Sequence, residues 1–317
     1  MKTRDIIALS MVKGIGDAFI KKNLNQIVLS PSLDDYISAA NIELDEVSEI
    51  DHLLERADNI LKECRDKGYK VLNLSENEYP ASLKVISDPP AVLYMLGNTD
   101  LLNNVIAIVG TRESTTLGER IAERLGEHFS KYFSICNGLV EGIDKHSICI
   151  DGQFIPNAIG VISGGLNYTE TCTSVHAKII RGVIDAGGLI ISPFEPNQKE
   201  DQFSGSKVSR IQAGLSSGLI LVQSSVNGGS KYTVKSFSKL GRTIGVVHYP
   251  SNDEYKAKDF GANHLMVEKG LNGVAEFIGQ KTTKGINVKA IISIGGQKDY
   301  KTFNDKITGS GEKESLW

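Results

Sequence analysis

The chain is 317 residues long, 40% apolar and 23% charged, with a formal net charge of −3. At roughly 100–200 residues per domain that length holds two units, and the composition is that of a globular chain. No apolar run reaches the roughly 20 residues a bilayer requires, and the chain is no polycation, so contact with nucleic acid needs a local basic patch.

The opening, Met1-Lys2-Thr3-Arg4-Asp5-Ile6-Ile7-Ala8-Leu9-Ser10, has too short an apolar core for a signal peptide, with Asp5 inside it. A cytoplasmic protein is the expectation. Cys64, Cys136, Cys149 and Cys172 form no knuckle or redox pair, so they read as reduced structural thiols. The histidines form no H-x-x-x-H pair, and no metal site is expected.

Residues 1–75 read as a helical unit. Ile6, Ile7 and Leu9 give a first helix, Gly14-Ile15-Gly16 a turn, and Ala18, Phe19, Ile20 and Leu24 a second helix. The pattern fits an αα-corner packed on the next helix better than a helix-hairpin-helix whose turn amides meet a DNA phosphate. A further helix spans about 50–67, with Leu53, Leu54, Ala57, Ile60, Leu61 and Cys64 on one face, and Gly68 ends it. Residues 69–100 form a connector with strands at 69–74 and 91–97 and stiff turns at Tyr79-Pro80 and Asp88-Pro89-Pro90.

Residues 76–280 read as the larger, α/β unit. Val105-Ile106-Ala107-Ile108-Val109 is a strand buried on both faces, followed by Gly110, a hydroxyl-rich loop, and a helix from about Thr116 to Lys131. Thr116 and Glu119 have capping-box spacing. Such a strand–loop–helix junction aims amides and a positive dipole end at one point, where a phosphate fits. Further strands are predicted at 133–136, 158–162, 188–191, 218–222 and 243–247, with His264–Val267 as a last one at the edge. Helices are predicted near 142–151, 173–186, 206–215 and 230–240. The alternation implies an extended Rossmann-like, mostly parallel sheet with helices on both faces, its ligand site beyond the C-terminal strand ends. Residues 281–317 read as an extra strand or docking segment and then a frayed tail.

Among the strand-end loops, 137–144 carries Gly138 and could line a phosphate pocket, with Glu141 and Asp144 as acids or caps. Gly229, Ser230 and Lys231 form a flexible turn into a helix that suits an anion. From Lys199 to Arg242 seven basic residues face two acids, which makes either a local cationic patch or a solvated face. No G-x-G-x-x-G follows a strand and no P-loop is present, so dinucleotide binding and ATP hydrolysis are disfavoured. No nucleophile, catalytic residue or cofactor is assigned.

These stretches together resemble the DNA-processing protein A family (DprA, also called Smf), over about 79–270. The matching runs are Tyr79-Pro80, Asp88-Pro89-Pro90, Ile106 to Arg112, Gly138-Leu139 with Gly142-Ile143-Asp144, and Gly164-Gly165-Leu166. They continue through Gly187 to Ser192, Arg210-Ile211 with Ala213 to Ser216, Gly229-Ser230 with Thr233, Gly241-Arg242, and Gly261-Ala262-Asn263 with Leu265. The resemblance implies a non-catalytic protein that binds single-stranded DNA, forms a homodimer and hands the strand to a RecA-type recombinase. The groove it implies uses Gly110, Thr111, Arg112, Gly138, Lys207, Arg210, Gly229, Ser230, Lys231 and Arg242, with affinity that falls with salt. The family's Ser before Gly-Leu is Asn137 here, its Arg before Gly-Ile-Asp is Glu141, and His146 is displaced from the family's Ala-His pair. Two other readings keep the fold: a subunit that restrains an operon partner in phage defence or a mobile element, such as a toxin, and a nucleotide-sensing module.

Overall fold

The computed structural model describes residues 2–42, 44, 50–201, 203–252, 254–256 and 258–309. Helices α1 (Thr3–Ser10), α2 (Asp17–Leu29), α3 (Leu33–Ala39) and α4 (Ile50–Asp66) come first. Gly14, at φ +85, makes the predicted turn between α1 and α2. Ile6, Ile7, Leu9, Ile20, Leu53 and Ile60 share one buried cluster with Val92 and Tyr94 of the sheet, so these helices and the sheet have a continuous core.

Next come β1 (Lys70–Asn73), α5 (Ala81–Lys84), β2 (Val92–Gly97), β3 (Val105–Val109), α6 (Thr116–Phe129), β4 (Ser134–Asn137) and α7 (Ile143–His146). The hairpin β5 (Cys149–Ile150) and β6 (Gln153–Phe154) leads to β7 (Ala158–Val161), α8 (Tyr168–Thr171), α9 (Ser174–Asp185) and β8 (Leu189–Ser192). Then follow α10 (Ser204–Leu215), β9 (Gly218–Leu221), α11 (Lys231–Phe237), β10 (Arg242–Val247), α12 (Gly261–Lys269), α13 (Leu271–Phe277), β11 (Val288–Ile294) and α14 (Gln297–Thr308).

Among the described residues nine strands form one sheet, ordered β1-β2-β8-β7-β4-β3-β9-β10-β11. Every pairing from β8 to β11 is parallel, while β2 runs antiparallel to both β1 and β8. The chain winds outward from β3 through β4, β7 and β8, then returns to β9 on the other side of β3 and winds through β10 to β11. The switch point of this doubly wound sheet therefore lies between β3 and β9, and its crevice opens beyond their C-terminal ends.

Burial in β3 alternates between the two faces of the sheet. Ile106 and Ile108 pack with Leu117, Leu125 and Phe129 of α6 and Ile180 of α9. Val105 packs with Val208 and Ile211 of α10, and Ala107 and Val109 with Val234 and Phe237 of α11. This period-two division on a strand buried on both sides is what five consecutive apolar residues demand.

Two predicted elements are corrected. His264–Val267 is no strand: it lies in α12, where Ala262, Asn263 and Met266 are buried at helical spacing. Asn263 sends its amide to the carbonyls of Leu221, Val222 and Val247, at 2.9–3.1 Å, and so ties the helix to two strand ends. The helix expected over 142–151 stops at His146, because Asp151 (φ +49) and Gly152 (φ +77) turn the chain into the β5–β6 hairpin. Asp-Gly with both φ positive is the preferred two-residue hairpin turn. In the segment after 280, β11 is an edge strand on β10 and α14 lays Tyr300 and Phe303 against Phe129. Residues 310–317 of the expected tail lie outside the described residues.

Candidate nucleic-acid interface

Three loops meet at the switch point, those after β3, β4 and β9. Their backbones touch. Thr111 N–H donates to the Gln223 carbonyl at 2.8 Å, and Ile143 N–H donates to the Thr111 carbonyl at 3.1 Å. Gly142 adopts φ +83, and a Cβ built there would stand 2.4 Å from the Thr111 oxygen. A glycine is required on both counts.

Part of the N-terminus of α6 is bonded within the protein. The Thr115 hydroxyl accepts from Gly118 N–H at 3.2 Å, and the Thr115 N–H donates to Gln223 Oε1 at 3.0 Å. Thr115 is thus the cap, one residue before the expected Thr116, and Glu119 takes the Ser114 hydroxyl at 2.8 Å.

The loops border a cleft of about 640 Å³. Asp144 lies buried in its floor and accepts from Gly138 N–H at 2.8 Å. Burial pushes its carboxyl up to about 7, against the opposing pull of the Gly138 amide and the Arg112 charge. His176 bonds the Gly138 carbonyl through Nε2 at 3.1 Å, and burial lowers its basicity. Gln212 and Thr233 supply further polar groups. Phe203 and Tyr232 also line the cleft, and they are 65% and 48% exposed. Arg112 is exposed and makes no hydrogen bond or ion pair with the described residues. Lys231 Nζ lies 5.5 Å from the centre of the Tyr232 ring.

A family model described as DNA recombination-mediator protein A matches residues 70–278, from β1 to the end of α13 and so eight of the nine strands of the sheet.

The chain belongs to the DNA recombination-mediator protein A family.

It is 30% identical over 236 residues to DNA processing protein DprA of Bacillus subtilis, covering 74% of this chain and 77% of that one. It is 28% identical over 206 residues to DprA of Streptococcus pneumoniae, covering 63% and 71%. The X-ray structure of DprA from Streptococcus pneumoniae shares the fold, with a TM-score of 0.65 at 21% identity over 85% of this chain and 93% of the other. DprA from Helicobacter pylori, described as having a unique single-stranded DNA binding mode, gives 0.55 at 25% identity over 64% and 88%.

Within this family member the residues expected on one groove divide into two groups. Gly110, Thr111, Arg112, Gly138, Gly229 and Ser230 all line the switch-point cleft, and Lys231 stands at its edge beside Tyr232. Lys207 instead turns to Phe194, with Nζ 5.6 Å from the ring centre, at a second cavity of about 660 Å³ between the N-terminal helices and the sheet. Arg210 is paired with Asp17 and, at 3.2 Å, with Asp88. Arg242 sits at the opposite end of the sheet. Its Nη1 donates to the carbonyls of Ala213, Gly214 and Ser216 at 2.6–3.1 Å and caps the C-terminus of α10. Arg210 and Arg242 are thus committed to internal partners away from the cleft.

The departures from the family pattern have structural partners here. Asn137 is buried and donates to the Asp144 carbonyl and the Ser147 hydroxyl, at 3.0 and 3.1 Å, which stiffens the loop holding Gly138. Glu141 is paired with Lys145 at 3.1 Å, so its charge is matched locally. His146 contacts Glu123 on α6 at 2.8 Å. Sequence reasoning passed over Phe203 and Tyr232. Their signal was an aromatic placed among Gly, Ser and Lys with no apolar neighbour three or four residues away.

Proposed function

We propose that the chain binds single-stranded DNA in the switch-point cleft and acts in DNA processing and recombination, with no chemistry of its own. The observation that carries the reading is the exposure of Phe203 and Tyr232 on one cleft with the unpaired guanidinium of Arg112. Exposed aromatic faces beside a cation and loop amides form a stacking platform next to a phosphate track, and stacking tolerates any base. Phosphates fit against Arg112, Ser230 and Lys231, and bases against the two rings. Membership of the family, and the described DNA binding of the Helicobacter pylori relative, support the same assignment.

Family membership extends the proposal to a homodimer and to delivery of the strand to a RecA-type recombinase. Sedimentation of the chain alone, and with a recombinase and an oligonucleotide, checks both. For the central reading, the test is fluorescence anisotropy with labelled single-stranded and duplex oligonucleotides across a salt series. The expected result is tighter binding of the single strand, weakening as salt rises. Equal affinity for duplex, or no binding at low salt, counts against it.

A further inference from the structure

Beside the cleft, Cys172, His176 and Glu200 bring a thiol, an imidazole and a carboxylate together. Their donor atoms all lie within 4.8 Å of one another. Cys172 and His176 stand four residues apart across the start of α9, and Glu200 reaches them from the strap between β8 and α10.

The surroundings of this trio are already ordered. His176 Nε2 faces the Gly138 carbonyl at 3.1 Å. A carbonyl only accepts, so Nε2 carries the proton and Nδ1 carries the lone pair. That lone pair looks at Glu200 Oε2, 3.6 Å away. An imidazole lone pair set against a carboxylate repels it unless a cation, a proton or a metal ion, lies between them. Glu200 is itself fixed: the Ser163 hydroxyl donates to Oε2 at 2.8 Å, and the Thr173 N–H donates to Oε1 at 3.2 Å. An imidazole that donates its far N–H to a backbone carbonyl, next to a hydrogen-bonded carboxylate, is the arrangement that orients metal ligands.

We infer that Cys172, His176 and Glu200 form a zinc site, with Sγ, Nδ1 and a carboxylate oxygen as ligands and solvent in the fourth position. The donor set is mixed S, N and O, which suits zinc over magnesium or calcium. Tetrahedral zinc with bonds of about 2.0–2.3 Å places its donors about 3.3–3.8 Å apart, so the trio closes by side-chain adjustment of about 1 Å. On binding, the Cys172 thiol proton leaves to solvent and the sulfur coordinates as thiolate.

The ion would tie the strap to α9. Immediately after Glu200, Asp201 accepts from the N–H groups of Phe203 and Ser204, each at 2.8 Å. Phe203 therefore hangs from the strap that the zinc would anchor, and the Gly138 carbonyl held by His176 lies on the cleft. The expectation of no metal rested on sequence spacing, which cannot show a third ligand arriving from a distant loop.

The test uses full-length protein without a polyhistidine tag, loaded with zinc or cobalt and then passed through gel filtration. The expected result is one retained equivalent of zinc by mass spectrometry and, with cobalt, a thiolate-to-metal charge-transfer band in the near ultraviolet. Cys172→Ser should abolish the band and Glu200→Gln should weaken retention at least tenfold, while Cys149→Ser leaves both unchanged. Circular dichroism identifies the folded variants, and Glu200→Gln, changed only at a half-buried oxygen, serves if Cys172→Ser does not fold. Failure of the folded wild type to retain metal, or a band that survives Cys172→Ser, overturns the assignment. Neither readout involves DNA, so the cleft proposal stands or falls separately.

Discussion

Arg210, on α10, holds Asp17 of the N-terminal helical hairpin and Asp88 of the connector at the same time. Asp17 also accepts the Ala91 N–H at 2.9 Å, so the residue just after the Gly-Ile-Gly turn is docked on the sheet unit. Hydrogen bonds to charged groups contribute roughly 1.5–3 kcal/mol each. Arg210→Met should therefore lower stability by about 2 kcal/mol in urea unfolding, and adding Asp17→Asn should lower it little further. DNA affinity of the folded variant should stay within about twofold of wild type. Additive losses from the two changes would mean that the pair is not coupled.

Arg112 has the opposite role. Its guanidinium is exposed and makes no bond with the described residues, so Arg112→Gln should cost little stability. Each phosphate neutralised on a single strand contributes about 0.7 to the salt slope. The variant should bind oligonucleotide more weakly at low salt and show a slope smaller by about 0.7–1. Anisotropy titrations at four or more salt concentrations measure this, and an unchanged slope would remove Arg112 from the phosphate track.

Phe203→Ala and Tyr232→Ala should behave differently again. Loss of a stacked base costs about 1–3 kcal/mol, or roughly 5- to 150-fold in affinity. The salt slope should not move, because no charge is lost. Both side chains are exposed, so melting temperatures should hold. A weaker affinity accompanied by a changed slope would point to a disturbed loop instead of a lost stack.

Asp144 predicts a pH dependence of known sign. Its ordinary value of 3.8 is pushed up to about 7 in the fold. Between about pH 4 and pH 7 the folded state keeps a proton that the unfolded chain has released. Stability from this group is therefore complete below about pH 4 and is lost as pH rises through about 7, by up to about 4 kcal/mol. Asp144→Asn should flatten that decline in urea unfolding at pH 5, 6, 7 and 8. A phosphate in the cleft favours the protonated carboxyl, so oligonucleotide should bind more tightly at pH 6 than at pH 8 in wild type. A variant with the same pH response as wild type would show that Asp144 is not the titrating group.

The sheet was legible because its signals are local. An unbroken run such as 105–109 admits few structures other than a strand covered on both faces, and the glycines at 110, 138 and 142 mark where loops must press together. Six glycine, hydroxyl and cationic positions of the cleft were readable for the same reason. Arg210 and Arg242 were not, since a cation looks the same in sequence whether it meets solvent, two carboxylates or a helix C-terminus. Their partners lie on other elements, at positions no spacing rule connects. Phe203 and Tyr232 were missed because aromatic side chains suggest core, whereas the fold leaves both largely exposed. His264–Val267, inside the helix Gly261–Lys269, was read as a strand because a short apolar run carries no clear period, and the role of Asn263 in tying two strand ends is a tertiary fact.

In the proposed complex a single strand lies along the switch-point cleft with its bases on Phe203 and Tyr232. Photo-cross-linking with an oligonucleotide carrying iododeoxyuridine, followed by mass spectrometric mapping, tests it most directly. The account predicts adducts at Phe203 and Tyr232, lost when excess unlabelled single strand is added. Adducts confined to the opposite end of the sheet around Arg242, or to the N-terminal helices, would contradict it.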